Sequence, residues 1–137
     1  IAALPFLSAR NADQVCQMFA KLKSMSDVLP VISSVYKLYK QIVDLNSKLP
    51  KAHRYSLGAS LEQTVLELME QLIMAKNAPK SSKAGYLIKA LAQQEIATLK
   101  LRLYLELKLA NETKIFQTQA GLQEIGRMSG GWLKSLP

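Results

Sequence analysis

Residues 99–109 read LKLRLYLELKL, with leucine at every odd position and a charged residue or tyrosine at every even one. Taken alone, that alternation predicts a half-buried strand. No other stretch alternates, however, and no hairpin turn flanks this one, so a strand here would leave its backbone groups without partners. Apart from Thr98 at its edge, the segment lacks β-branched residues, and its Leu, Lys, Arg and Glu favour helix. It is therefore read as part of a helix over roughly residues 83–110. The rest of the chain carries three- and four-residue apolar steps. A helix over 28–48 follows from Ile32, Tyr36, Tyr39, Ile42 or Val43, and Leu49, with Pro30 tolerable in its first turn. LPKAHRY breaks that pattern. From about Arg54 a second stripe runs through Leu57, Leu61, Val65 or Leu68, Leu72 and Ala75 until NAPKSSK ends it. Asn111 and Glu112 open a last helix through Ile115, Leu122, Ile125, Met128 and Trp132. The expected fold is all-α, an antiparallel up-down four-helix bundle over residues 25–137. NADQ, with Asn11 as a cap and Gln14 three residues on, allows a short extra helix over 11–24. Met25 followed by SDVLP would make a natural start, so residues 1–24 are expected to be a separate appendage or leader.

At about 100° per residue the leucines of 99–109 divide into two nearly opposite arcs, Leu99, Leu103 and Leu107 against Leu101, Leu105 and Leu109. A helix on the outside of a monomeric bundle needs one apolar face. The second face wants a partner. Leu101, Leu105 and Leu109 are expected to meet another copy of the chain, with coverage by residues 1–24 as the alternative. The last helix contains EIGRMSGGWLK, which places Gly126, Gly130 and Gly131 where each costs about 1 kcal/mol relative to alanine. Close approach of a neighbouring helix, with Trp132 supplying buried area, would offset that cost. A helix that simply ends at Gly131 is the other reading.

Charge narrows the function classes. Eighteen Lys and Arg stand against ten Asp and Glu, for a net charge of +8 in 137 residues. That balance suits a polyanionic partner: nucleic acid, an acidic protein or anionic lipid. No apolar run is long enough to span a membrane. The one cysteine, Cys16, cannot form an internal disulfide, which fits a reducing, cytoplasmic setting. Catalysis finds little support, because His53 is the single histidine and no Cys–His pair, paired-carboxylate spacing, metal-ligand cluster or Gly-rich phosphate loop is present. No cofactor or metal is expected. Lys37, Lys40, Lys48, Lys51, His53 and Arg54 cluster on the first two helices and their junction, with Tyr36, Tyr39 and Tyr55 among them. Such a cluster suits phosphate contact with occasional base stacking, although tyrosines at helical spacing also serve as core rim. Lys89, Lys100 and Lys108, in line with Gln93 and Tyr104, form a second basic seam.

LPKAHRYSLG at 49–58, the amphipathic helix that follows it to about position 75, and EIGRMSGGWLK at 124–134 resemble the accessory variability determinant proteins of diversity-generating retroelements. These are grouped with four-helix proteins encoded in intervening sequences of large-subunit ribosomal RNA. The similarity covers about residues 28–135. It implies a basic homopentameric barrel of four-helix bundles that is not itself an enzyme. The barrel would bind a retroelement reverse transcriptase and its template RNA, with DNA as a further ligand, and support mutagenic cDNA synthesis. It also implies that Lys100 takes part in this work through the third helix, while Tyr104 stands where a second basic residue would be expected. The alternatives are the ribosomal intervening-sequence role and a structural helical oligomer that binds an acidic protein.

Overall fold

A three-then-four alternation of small and apolar residues, the heptad spacing of helices that pack at a shallow angle, sets the architecture. The computed structural model describes residues 29–137, and within them Val31–Pro137 forms one compact unit. Helix α1 spans Pro30–Ser47. A helical turn, Lys51–His53, then runs through a π-helical segment, Arg54–Gly58, into α2, Ala59–Asn77; α3 spans Lys80–Glu106 and α4 spans Glu112–Ser135. Proline opens α1 at a position where its missing N–H costs nothing, and extended Pro50 and Pro79 separate α1 from α2 and α2 from α3. Asn111 caps α4 by accepting from the Lys114 backbone N–H at 3.2 Å. The bundle is all-α among the described residues, and its short connections make neighbouring helices antiparallel.

Each helix contributes one heptad stripe to a shared core. On α1 and the turn after it this is Val31, Val35, Leu38, Ile42, Leu45 and Leu49; on α2, Leu61, Val65, Leu68, Leu72 and Ala75. On α3 it is Leu87, Ala90, Ala97, Leu101 and Tyr104, and on α4 Ile115, Leu122 and Ile125, flanked by buried Thr118 and Ser129. Full burial of each large aliphatic member contributes about 1.5–3 kcal/mol. The two alanines let α3 lie close to its neighbours, and so does Gly126, where an added Cβ would stand 3.0 Å from the Gln94 side chain of α3. Gln94 itself donates to the Leu122 carbonyl at 3.1 Å, tying α3 to α4.

Several expectations shift. The α1 stripe is rotated by one residue: Ile42 and Leu49 are buried, but Tyr36 is 56% exposed and Val43 lies outside, leaving 32, 36, 39 and 43 as a second apolar line beside the core. On α3 the two leucine arcs exchange roles. Leu101 is fully buried in the chain's own core, with Leu105 and Leu109 packed against it, whereas Leu99 is 62% exposed and Leu103 and Leu107 lie outside with it. Leu87, Ala90, Ala97 and Tyr104 continue the Leu101 arc as one heptad line whose alanines let neighbouring helices come close, whereas the other arc is continued by the bulkier Ile88 and Ile96, which are exposed with it. α3 also ends at Glu106, short of residue 110. Among the glycines, Gly126 sits at a helix contact with Trp132 packed on the core nearby, but an added Cβ at Gly130 or Gly131 would meet nothing within 4 Å among the described residues. The helix runs past both, so neither close approach nor termination accounts for that pair. The helix expected over 11–24 and the appendage over 1–24 lie outside the described residues.

Candidate nucleic-acid interface

At one end of the bundle α1 finishes, α2 begins, α3 finishes and α4 begins. The turn between α1 and α2 is built on Asn46, which is 1% exposed. Its amide donates to the Gly58 carbonyl at 2.9 Å and to Glu62 Oε2 at 2.8 Å, and its Oδ1 accepts from the Tyr104 hydroxyl at 2.5 Å. Three segments are thereby joined at one side chain. Gly58 closes the π-helical segment where an added Cβ would come within 3.2 Å of both Asn46 and Leu49, so only glycine fits without displacement. Burial first, and the Glu62 carboxylate second, raise the Tyr104 phenol well above the ordinary tyrosine range, with the Asn46 hydrogen bond offsetting part of that. Tyr104 is thus a neutral donor inside the core. The sequence placed it on a basic seam; its true position follows from the heptad.

The π-helical segment carries the extra residue of a π-bulge, a feature that often marks functional sites, and the basic residues lie on it and on the helical turn before it. Lys51 and Arg54 are exposed, His53 is partly so, and Tyr55 beside them is 71% exposed. That exposure removes Tyr55 from any role as core rim. Arg54 also has a structural task, because its Nη2 donates to the Ser47 and Leu49 carbonyls at 3.1 Å each and so caps the C-terminal end of α1.

Lys100 is placed differently from what its resemblance implied. Its ammonium donates to the Ser60 hydroxyl at 2.6 Å, the Thr64 hydroxyl at 2.7 Å and the Ser60 carbonyl at 3.3 Å. An ammonium has three N–H bonds, and all three are used between α3 and α2. Lys100 is therefore a cross-brace between α3 and α2. Lys37, Lys40 and Lys89 are exposed along the sides of α1 and α3; the Lys40 ammonium lies 5.3 Å from the Tyr36 ring centroid and that of Lys89 lies 5.8 Å from Tyr86. They do not join the corner.

Sequence reasoning missed a further cation. Lys114, in the first turn of α4, and Lys48, just beyond α1, both approach Asp44 Oδ2 at 3.8 Å. They line a groove of about 380 Å³ together with Leu45, Leu109, Ala110 and Asn111. No local motif marks Lys114; only the antiparallel topology brings it to Lys48. Lys108, which directly precedes this groove's Leu109, is exposed.

A family model described as bAvd-like matches residues 31–136, from the first turn of α1 to the end of α4. The chain belongs to the bAvd-like family, that of accessory variability determinant proteins. No curated protein matches the sequence. For this bAvd-like chain, the basic corner is the surface whose chemistry is most suited to a nucleic acid: exposed cations and one exposed aromatic ring on a rigid frame. Among the described residues there is no group of His, Cys, Asp and Glu able to hold a metal ion, and no helix long and apolar enough to cross a membrane.

Proposed function

We propose that the protein is a non-catalytic, cytoplasmic accessory factor that binds a retroelement reverse transcriptase and its template RNA and supports mutagenic cDNA synthesis. The observation that carries this reading is the basic corner of exposed Lys48, Lys51, Arg54, Lys108 and Lys114 with partly exposed His53, on a chain of net charge +8 in the bAvd-like family. Such a surface attracts RNA, or DNA, by displacing condensed counterions from phosphates. Copies of the chain repeat it in a homo-oligomer, a pentamer by family resemblance. The face that joins the copies is the outward arc of α3, where Ile88, Ile96, Leu99 and Leu103 are all exposed. Repetition multiplies a modest single-copy affinity through effective concentration.

A polarisation titration with a structured RNA at two salt concentrations, run beside co-purification with the cognate reverse transcriptase, tests the reading. Binding that weakens steeply with salt, together with retention of the polymerase, is expected. Failure of the wild type to bind RNA at low salt overturns it in favour of a structural oligomer with an acidic protein partner.

A further inference from the structure

We propose that the groove between the end of α1 and the start of α4 is a seat for one phosphate of bound RNA, held by Lys48 and Lys114 with Lys108 at its rim. This rests on the RNA-binding reading above and adds to it a defined site. One carboxylate oxygen, Asp44 Oδ2, serves two ammonium groups at 3.8 Å each. Both distances exceed those of a hydrogen bond, so neither lysine is firmly held and the cluster keeps one uncompensated positive charge. The neighbouring Lys48 ammonium lowers the Lys114 pKa from the ordinary lysine value, and Asp44 offsets only part of that. A second anion would offset the rest. The groove of about 380 Å³ has room for a phosphate, and Leu45, Leu109 and Ala110 give it apolar walls that strengthen a charge contact.

The backbone beside the groove supplies a separate observation. α3 ends with the Leu109 N–H on the Tyr104 carbonyl at 3.0 Å and the Lys108 N–H on the Leu105 carbonyl at 3.2 Å, the paired bonds of a Schellman motif. Its left-handed position is ordinarily glycine, but here it is Lys108, at φ 54°. Among the described residues no other non-glycine has positive φ. A lysine at a strained position next to a groove lined by two more lysines is accounted for if its charge is used there.

The test is a polarisation titration of a labelled single-stranded RNA across several salt concentrations. It compares wild type, Lys48→Gln/Lys114→Gln, Lys108→Gly, and a control, Lys80→Gln/Lys134→Gln, which removes the same charge from exposed positions at the other end of the bundle. The Lys48/Lys114 variant is expected to bind roughly tenfold more weakly at low salt, with the slope of log affinity against log salt shallower by about one, and the control to move much less. Lys108→Gly is expected to melt no lower than wild type yet bind more weakly, which separates binding from folding. If wild type binds RNA and the Lys48/Lys114 variant matches the control in affinity and slope, the seat is overturned while the RNA reading stands. If wild type binds no RNA, both fall. Loss of reverse-transcriptase retention by that variant with RNA binding unchanged would assign the groove to a protein carboxylate and overturn the seat.

Discussion

The hydroxyl of Tyr104, near the end of α3, donates to Asn46 Oδ1, near the end of α1, at 2.5 Å across 58 positions of sequence. Both side chains are buried, and Asn46 passes the connection to Gly58 and Glu62 at the start of α2. The basic corner is thus held by a polar clasp inside a largely apolar core. Tyr104→Phe leaves Asn46 Oδ1 buried without its donor, and is expected to cost about 1–3 kcal/mol in a denaturant melt.

The same residue gives a pH dependence. The folded state raises the Tyr104 pKa above its ordinary value of about 10. Above that pH the unfolded chain loses the proton first, so the unfolded state binds fewer protons and stability falls as pH rises. The contribution is complete below about pH 10 and is lost progressively above it. Wild type is therefore expected to lose stability between about pH 10 and pH 12 more steeply than Tyr104→Phe, measured by urea midpoints.

The glycines separate by what an added Cβ meets. Gly58→Ala would press on Asn46 and Leu49 at 3.2 Å, and a loss of about 1–3 kcal/mol is expected despite alanine's higher helix propensity. Gly130→Ala meets nothing within 4 Å among the described residues, and a gain approaching 1 kcal/mol is expected from propensity alone. Thermal melts of the two single variants would check both signs; a destabilised Gly130→Ala would reveal a contact at that face.

Lys100 provides a contrast between bracing and binding. With its three N–H bonds spent on Ser60 and Thr64, Lys100→Met is expected to lower stability by about 1–3 kcal/mol. The salt slope of RNA binding, read at a temperature where the variant is folded, should stay at the wild-type value. A shallower slope would return Lys100 to the phosphate contacts.

How far the sequence could be read follows from these residues. Helix class, helix number and the apolar stripe of α2 were legible because propensity and periodicity agree there, and the alternating 99–109 segment resolved to helix because a lone strand has no partner. The inward face of α1 and α3 was not, because each carries two apolar lines and short windows weigh them equally. The full heptad of α3, Leu87, Ala90, Gln94, Ala97, Leu101 and Tyr104, does decide it, but only if alanine, glutamine and tyrosine count as core positions. The site was legible in part. Lys51 and Arg54 announce themselves by clustering, whereas Lys48 with Lys114, and Lys100 with Ser60, are pairings made by topology over long sequence separations, and no local spacing encodes them.

The exchange of roles between the two arcs of α3 makes a prediction about assembly. Leu101 is wholly buried in its own bundle, while Leu103, two positions on, faces outward with Ile96 and Leu99. Leu101→Lys places an unpaired ammonium in the core and is expected to abolish the cooperative helical melt, because burying an unpaired charge costs more than a domain's marginal stability allows. Leu103→Lys leaves the core untouched, so its circular dichroism should remain helical. If the outward arc joins copies, Leu103→Lys places like charges at every repeated contact, and the mass by light scattering should fall toward that of a single chain at unchanged helicity. A helical Leu103→Lys variant of wild-type mass would exclude this arc as the interface and leave the outward line of Tyr36 and Val43 on α1 as the next face to test in the same way.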